Sequence, residues 1–196
     1  MSAPTSRPPY QQALGKWIVD AEARRDRQGR IRVYQLPAGD GGGTYEVAGI
    51  NDRYDPRMAW HLRNLIDLKQ YPQVEIDAAE YILGNTDVVQ SWSALPAIEI
   101  YLRDCCFNRG PTGAAKIFQI ALGHAHADIK VDGHIGTITL GYSRQVTNAK
   151  EFLGFLRSAR EIYERRIAPP VGARAKFWKG LVKRWDNSLA FAQKFL

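Results

Sequence analysis

The sequence predicts a mainly α protein of the α+β class: a helical body with one small antiparallel β-ribbon forming a cleft wall. Three observations carry this reading. Apolar residues recur at helical spacing in most segments from Tyr10 onward. Two-residue alternation is confined to one region, IRVYQLP (31–37) and TYEVAGI (44–50). A glycine-rich turn joins these two runs, as a hairpin requires.

The elements follow in order. YQQALGKWIVDAEARR (10–25) reads as a helix with Leu14, Trp17, Ile18 and Ala21 on one stripe. In the ribbon, Ile31, Val33 and Gln35 share one face, and Arg32 and Tyr34 the other. DPRMAWHLRNLIDLKQ (55–70) opens with Asp55 as N-cap and Pro56 at the first helical position. Its inward stripe is Met58, Leu62, Leu65 and Ile66. IDAAEYILGN (76–85) and ALPAIEIYLRDCCF (94–107) are helices separated by the turn-rich GNTDVVQSWS (84–93). GPTGAAKIFQIALG (110–123) is another, with Gly123 as its C-terminal cap. NAKEFLGFLRSAREIYERRI (148–167) turns Phe152, Leu156, Ala159 and Tyr163 inward. AKFWKGLVKRWDNSLAFAQKF (175–195) does the same with Trp178, Leu181, Val182, Trp185 and Leu189.

Composition bounds the function. A chain of 196 residues can bury a real core, and 45% apolar residues with 11% aromatics exclude disorder. No apolar run approaches 18 residues, so no membrane span is expected. The segment MSAPTSRPPYQQ is polar and Pro-rich with no apolar core, so no secretory signal is expected. The only cysteines, Cys105 and Cys106, are adjacent and read as reduced core residues. His61, His124, His126 and His134 are scattered without ligand partners at useful spacing, and no metal or cofactor is expected. The formal charge of +7, gathered in runs at 23–32, 157–166 and 173–184, predicts a polyanionic partner. No nucleic-acid-binding motif accompanies it.

Candidate chemistry centres on Glu22, at the end of an apolar helix just before the ribbon. Ile18 and Ala21 offer partly dry surroundings, which favour the protonated carboxyl a general acid needs. In the second strand Thr44, Glu46 and Ala48 share one face, and Asp40 lies in the glycine turn. A ribbon folded over the helix end would set Asp40 or Glu46 across a groove from Glu22. Two carboxylates across a groove are the working parts of glycoside hydrolysis. Around them, Tyr45 and Tyr54 can stack on sugar rings or simply pack within the ribbon, while Thr44, Asn51 and Arg53 can line the groove. Asp52 or Asp55 can cap a helix. Asn108 and Arg109, just before Gly110-Pro111, suit an N-acetyl or peptide group or cap the helix that starts there. Gln119 reads as a buried polar residue bonded to backbone, and Asp132-Gly133 as a structural turn.

A helix ending in glutamate, then a ribbon with an Asp-Gly-Gly turn, then Gly49-Ile50, resembles the N-acetylmuramidases of glycoside hydrolase family 108, a phage-endolysin and secretion-activator type. It resembles the phage-type lysozymes more distantly. FNRGPTGAAKIFQIALG (107–123), VDGHIGTITL (131–140) and KFWKGLVKRWDNSL (176–189) look like that family's downstream motifs, in order. The resemblance implies a flexible tail over 1–10 and a single lysozyme-like domain over 11–196. Within it, a ribbon lobe spans about 23–50 and a helical lobe about 55–196, including a peptidoglycan-binding-like region at about 107–196.

It also implies that Glu22 is the catalytic acid in cleaving the glycan strand between N-acetylmuramic acid and N-acetylglucosamine. Alternatives are a lytic transglycosylase, or a non-catalytic wall-binding or secretion-assisting module. Where the family has two glycines after the glutamate, this chain has Ala23-Arg24-Arg25. Alignment on Gly49-Ile50 puts Glu46 in the position of the lysozyme threonine, whereas residue type selects Thr44. Glu46 is taken as the second carboxylate, with Asp40 as the alternative. The expected partners are peptidoglycan glycan strands and the anionic cell wall, with neither nucleic acid nor stable membrane insertion. The chain is expected to be a monomer made in the cytoplasm without a signal peptide, acting in the periplasm or cell wall after release.

Overall fold

The computed structural model describes residues 7–37, 42–172 and 175–196. The chain divides into two compact units, Met1–Gly84 and Asn85–Leu196. The mainly α architecture with one small antiparallel sheet is as the sequence predicts.

The first unit opens with α1 (Pro9–Glu22), which starts on a proline whose missing N–H costs a helix start nothing. Its buried residues are Gln11, Leu14, Gly15, Ile18 and Val19. This is a true helical stripe, but Trp17 is only half-buried and Ala21 is exposed, contrary to the pattern read from apolarity alone. The helix ends at Glu22, short of the predicted Arg25, because Ala23 is extended (φ −67°, ψ 133°). Three short strands follow, β1 (Tyr34–Gln35), β2 (Tyr45–Val47) and β3 (Ile50–Asn51), in the antiparallel order β1-β2-β3. β3 is an addition to the expected ribbon, because the second run breaks at Ala48-Gly49.

α2 (Pro56–Asp67) carries the expected cap: the Asp55 carboxylate accepts Met58 N–H, and Pro56 is the first helical residue. It buries Ala59, Leu62 and Leu65 and packs on β2 and β3. α3 (Tyr71–Asn85) starts five residues earlier than predicted and buries Val74, Ala78, Ile82 and Leu83.

The second unit begins with a 3-10 turn, Asp87–Ser91, inside the stretch read as loop. α4 (Pro96–Leu122) joins two predicted helices into one element, interrupted at Gly110 alone (φ 69°, ψ 172°). That left-handed angle is open to glycine, and Pro111 then restarts the helix in the one position where proline is welcome. Gly123 ends the helix, yet with right-handed angles (φ −61°, ψ −16°) rather than the left-handed cap expected of it. α5 (Thr137–Ser143), α6 (Ala149–Ile167) and α7 (Ala175–Ala192) complete the unit. α5 went unpredicted. α6 is capped by Asn148, which accepts Glu151 N–H.

α4 packs chiefly on α6 and α7. Trp92, Phe118 and Phe152 form an aromatic core, with Phe118 edge-on to Phe152 at 5.9 Å. Beside this apolar core lies a buried ionic one. Asp104, fully buried, accepts from Arg160 Nη1 at 2.7 Å and Arg184 Nη2 at 2.6 Å. Burial alone would raise its carboxyl pKa, but the two guanidiniums more than offset this and hold it below the ordinary value. Cys105 and Cys106 are free and buried, and burial pushes their thiols up to about 12 and about 11. Among the described residues no helix is long and apolar enough to cross a membrane.

Candidate active site

Glu22 is the last residue of α1 and lies on the stripe that buries Gln11, Leu14, Ile18 and Val19. It is half-buried. The dry surroundings come from Ile18 and Val19, both fully buried, rather than from exposed Ala21. The tip of the β2–β3 hairpin sits directly against it. A Cβ on Gly49 would come within 3.2 Å of Glu22 Cβ and Cγ and 3.4 Å of its Cδ.

Val47 pairs with Ile50, so Ala48 and Gly49 form a two-residue turn. Both have positive φ, 51° and 76°, the pattern that matches the twist of paired strands. The turn therefore brings a backbone without a side chain against the glutamate.

Register fixes what each face carries. Glu46 is opposite Tyr34 on one side and Asn51 on the other, so these three share a face, and all three are half-buried. Arg24 and Arg32 lie over the Tyr34 ring at 5.1 and 6.0 Å, giving this face a cationic border. Tyr45, Val47 and Ile50 point the other way, into the core. Tyr45 is thus a packing residue with Arg63 of α2 over its ring at 5.1 Å, not a platform for sugar.

Several expected groove residues are instead committed to the local fold. The Thr44 hydroxyl and backbone N–H both donate to Asp52, at 2.5 and 2.8 Å. The Thr44 hydroxyl and the backbone amides hold the Asp52 carboxyl below its ordinary pKa. Asn51 Oδ1 accepts Arg53 N–H at 2.8 Å. Gly43 lies beneath both side chains: a Cβ there would sit 2.1 Å from Asp52 Oδ1. Arg53 and Tyr54 are exposed, the tyrosine at 76%, with the guanidinium 5.9 Å from the ring. Asp40 lies outside the described residues.

Asn108 and Arg109 belong to the second unit. Asn108 Nδ2 donates to the Asp104 carbonyl at 3.1 Å within its own helix. Arg109 forks onto buried Glu164 at 2.5 and 2.6 Å. These bonds tie into the fold a pair expected to meet substrate. Gln119 behaves as read: it donates to Asp132 Oδ1 and the His134 carbonyl and accepts Gly133 N–H, clasping the Asp-Gly turn. His61 pairs with Asp77, His124 stacks on Phe155 and His126 on Tyr142.

The segment after Glu22 has its own scaffold. Arg25 bonds Asp20 and Glu75, tying the helix end to α3. Arg25 also bridges to Ile31, and Asp26 collects Gln28 N–H, Arg30 N–H and the Arg30 guanidinium.

A half-buried glutamate ending a helix, with a three-stranded sheet laid over its tip and a largely helical remainder, defines the class of this molecule. The chain matches no family model and no curated protein. Among solved structures, that of Brucella abortus SagA shares the fold at TM-score 0.64, with 20% identity over 95% of this chain and 94% of that one.

Proposed function

We propose that the chain cleaves the glycan strand of peptidoglycan between N-acetylmuramic acid and N-acetylglucosamine, with Glu22 as proton donor. The observation that carries this reading is the seat of Glu22. Its carboxyl ends a buried stripe, and the Ala48-Gly49 turn is packed on its side chain. A partly dry, positioned carboxyl is what general acid catalysis asks for. The resemblance of four ordered motifs to muramidases and the likeness of fold to SagA support it.

In this scheme Glu22 protonates the glycosidic oxygen as the bond to the sugar breaks. Glu46, on the half-buried face of β2, either orients a water or attacks the sugar. Asn51 and Tyr34 flank it on the same face, and Tyr54 is an exposed aromatic side chain open to a sugar ring.

The test is clearing of purified cell-wall sacculi by the wild-type chain, Glu22→Gln and Glu46→Gln. Loss of one positioned acid is expected to lower clearing by about a hundredfold or more in Glu22→Gln. The released fragments should carry reducing ends. Anhydro ends would reassign the chain as a lytic transglycosylase. Sedimentation with sacculi and no clearing by the wild type would leave a wall-binding module without turnover.

A further inference from the structure

Between Arg165 and Trp185 the chain carries seven Lys and Arg and no Asp or Glu. That excess equals the formal charge of the entire protein, +7, the rest of the chain holding twenty of each sign; of the seven, Arg165 pairs with Glu161 and Arg184 with Asp104. The described part of this segment, residues 165–172 and 175–185, is the end of α6, the turn after it and the first half of α7. Three large apolar side chains stand in solvent there: Ile167 at 47% exposure, Val171 at 66% and Phe177 at 61%. Lys176 lies over the Phe177 ring at 4.8 Å. Lys176, Lys179 and Lys183 are exposed, and among the described residues no salt bridge engages them.

We infer that this segment docks on the surface of an anionic lipid bilayer. Basic side chains interleaved with exposed aliphatic and aromatic ones are what an interfacial helix presents: the cations meet lipid phosphates and the apolar groups enter the acyl boundary. A wall polyanion would engage the charges and leave Ile167, Val171 and Phe177 wet. The attachment is peripheral, since α7 is not both long and apolar enough to span.

Flotation of the full-length chain with vesicles tests this, comparing phosphatidylcholine alone with phosphatidylcholine and phosphatidylglycerol mixed. The wild type should float only with the mixed vesicles, and less as salt rises. Each cation near an anionic leaflet strengthens binding roughly fivefold, so Lys176→Glu/Lys179→Glu/Lys183→Glu should weaken it by roughly a hundredfold or more. Phe177→Ser should weaken it by about tenfold, as lost burial of an aromatic ring. All of these sites are exposed, and unchanged circular dichroism confirms that the variants fold.

Two results overturn the inference. One is no flotation with mixed vesicles at low salt. The other is flotation indifferent to Phe177→Ser, while the lysine reversals abolish sedimentation with sacculi; this identifies a wall polymer as the partner. Neither depends on Glu22, so failure here is distinct from failure of the clearing assay.

Discussion

Ala48 holds a left-handed backbone (φ 51°) that costs an alanine about 1–2 kcal/mol. Glycine would relieve that strain but would give up a buried methyl worth about 0.8 kcal/mol and add about 0.5–1 kcal/mol of unfolded-state entropy. The terms nearly cancel, so Ala48→Gly should leave the melting temperature almost unchanged. Its neighbour is different. Gly49→Ala incurs the same left-handed strain and sets a methyl 3.2 Å from the Glu22 side chain. It should lower stability by about 2 kcal/mol and reduce wall clearing as well, by shifting the proposed proton donor. Thermal melts and the clearing assay read the two effects separately. At this scale the sequence was legible where chemistry is local: Asp55 caps α2, and Gln119 binds backbone. It was silent on which polar side chains are also tied down locally. Thr44, Asn51, Asn108 and Arg109 all found partners within the protein, which residue type alone does not reveal.

The elements themselves follow the apolar period, because a stripe at 3.6 spacing has to be covered. What the period hides is charge placed on the covered side. In α6, Arg160 and Glu164 lie inward beside Phe152, Leu156 and Ala159, although a binary pattern assigns them to solvent. Their burial is decided by Asp104 and Arg109 of α4, fifty residues or more away in sequence. α5, only seven residues with two Thr and one Gly among them, has too little periodicity to announce itself. The ionic core makes a sharp prediction for the α4–α6–α7 packing. Asp104→Asn strands the buried Arg160 guanidinium and should cost about 3–5 kcal/mol, measured by denaturant unfolding. The carboxyl pKa is depressed in the folded state, so its stabilisation is complete above the unfolded aspartate value of 3.8 and is lost as pH falls through the lower folded value. The gap between wild type and Asp104→Asn should therefore be full at neutral pH and narrow only as pH falls below 3.8.

Across the whole molecule, charge is divided as unevenly as secondary structure. The first unit, Met1–Gly84, holds eleven Lys and Arg against eleven Asp and Glu; the second holds sixteen against nine. Electrostatic attraction should follow that distribution rather than the net figure. Two double variants with identical net charge make the comparison: Lys179→Glu/Lys183→Glu in the second unit and Arg27→Glu/Arg57→Glu in the first. The former should elute from a cation-exchange column at clearly lower salt. Finally, Cys105 and Cys106 sit side by side in α4, sealed from solvent and held as neutral thiols. A vicinal pair cannot bridge without distortion, and neither sulfur can reach an oxidant or another chain's thiol. The covalent state of the folded chain is therefore indifferent to the redox potential around it. An alkylating reagent will mark these sulfurs only during moments when α4 comes apart, so the pace of labelling clocks that rare event.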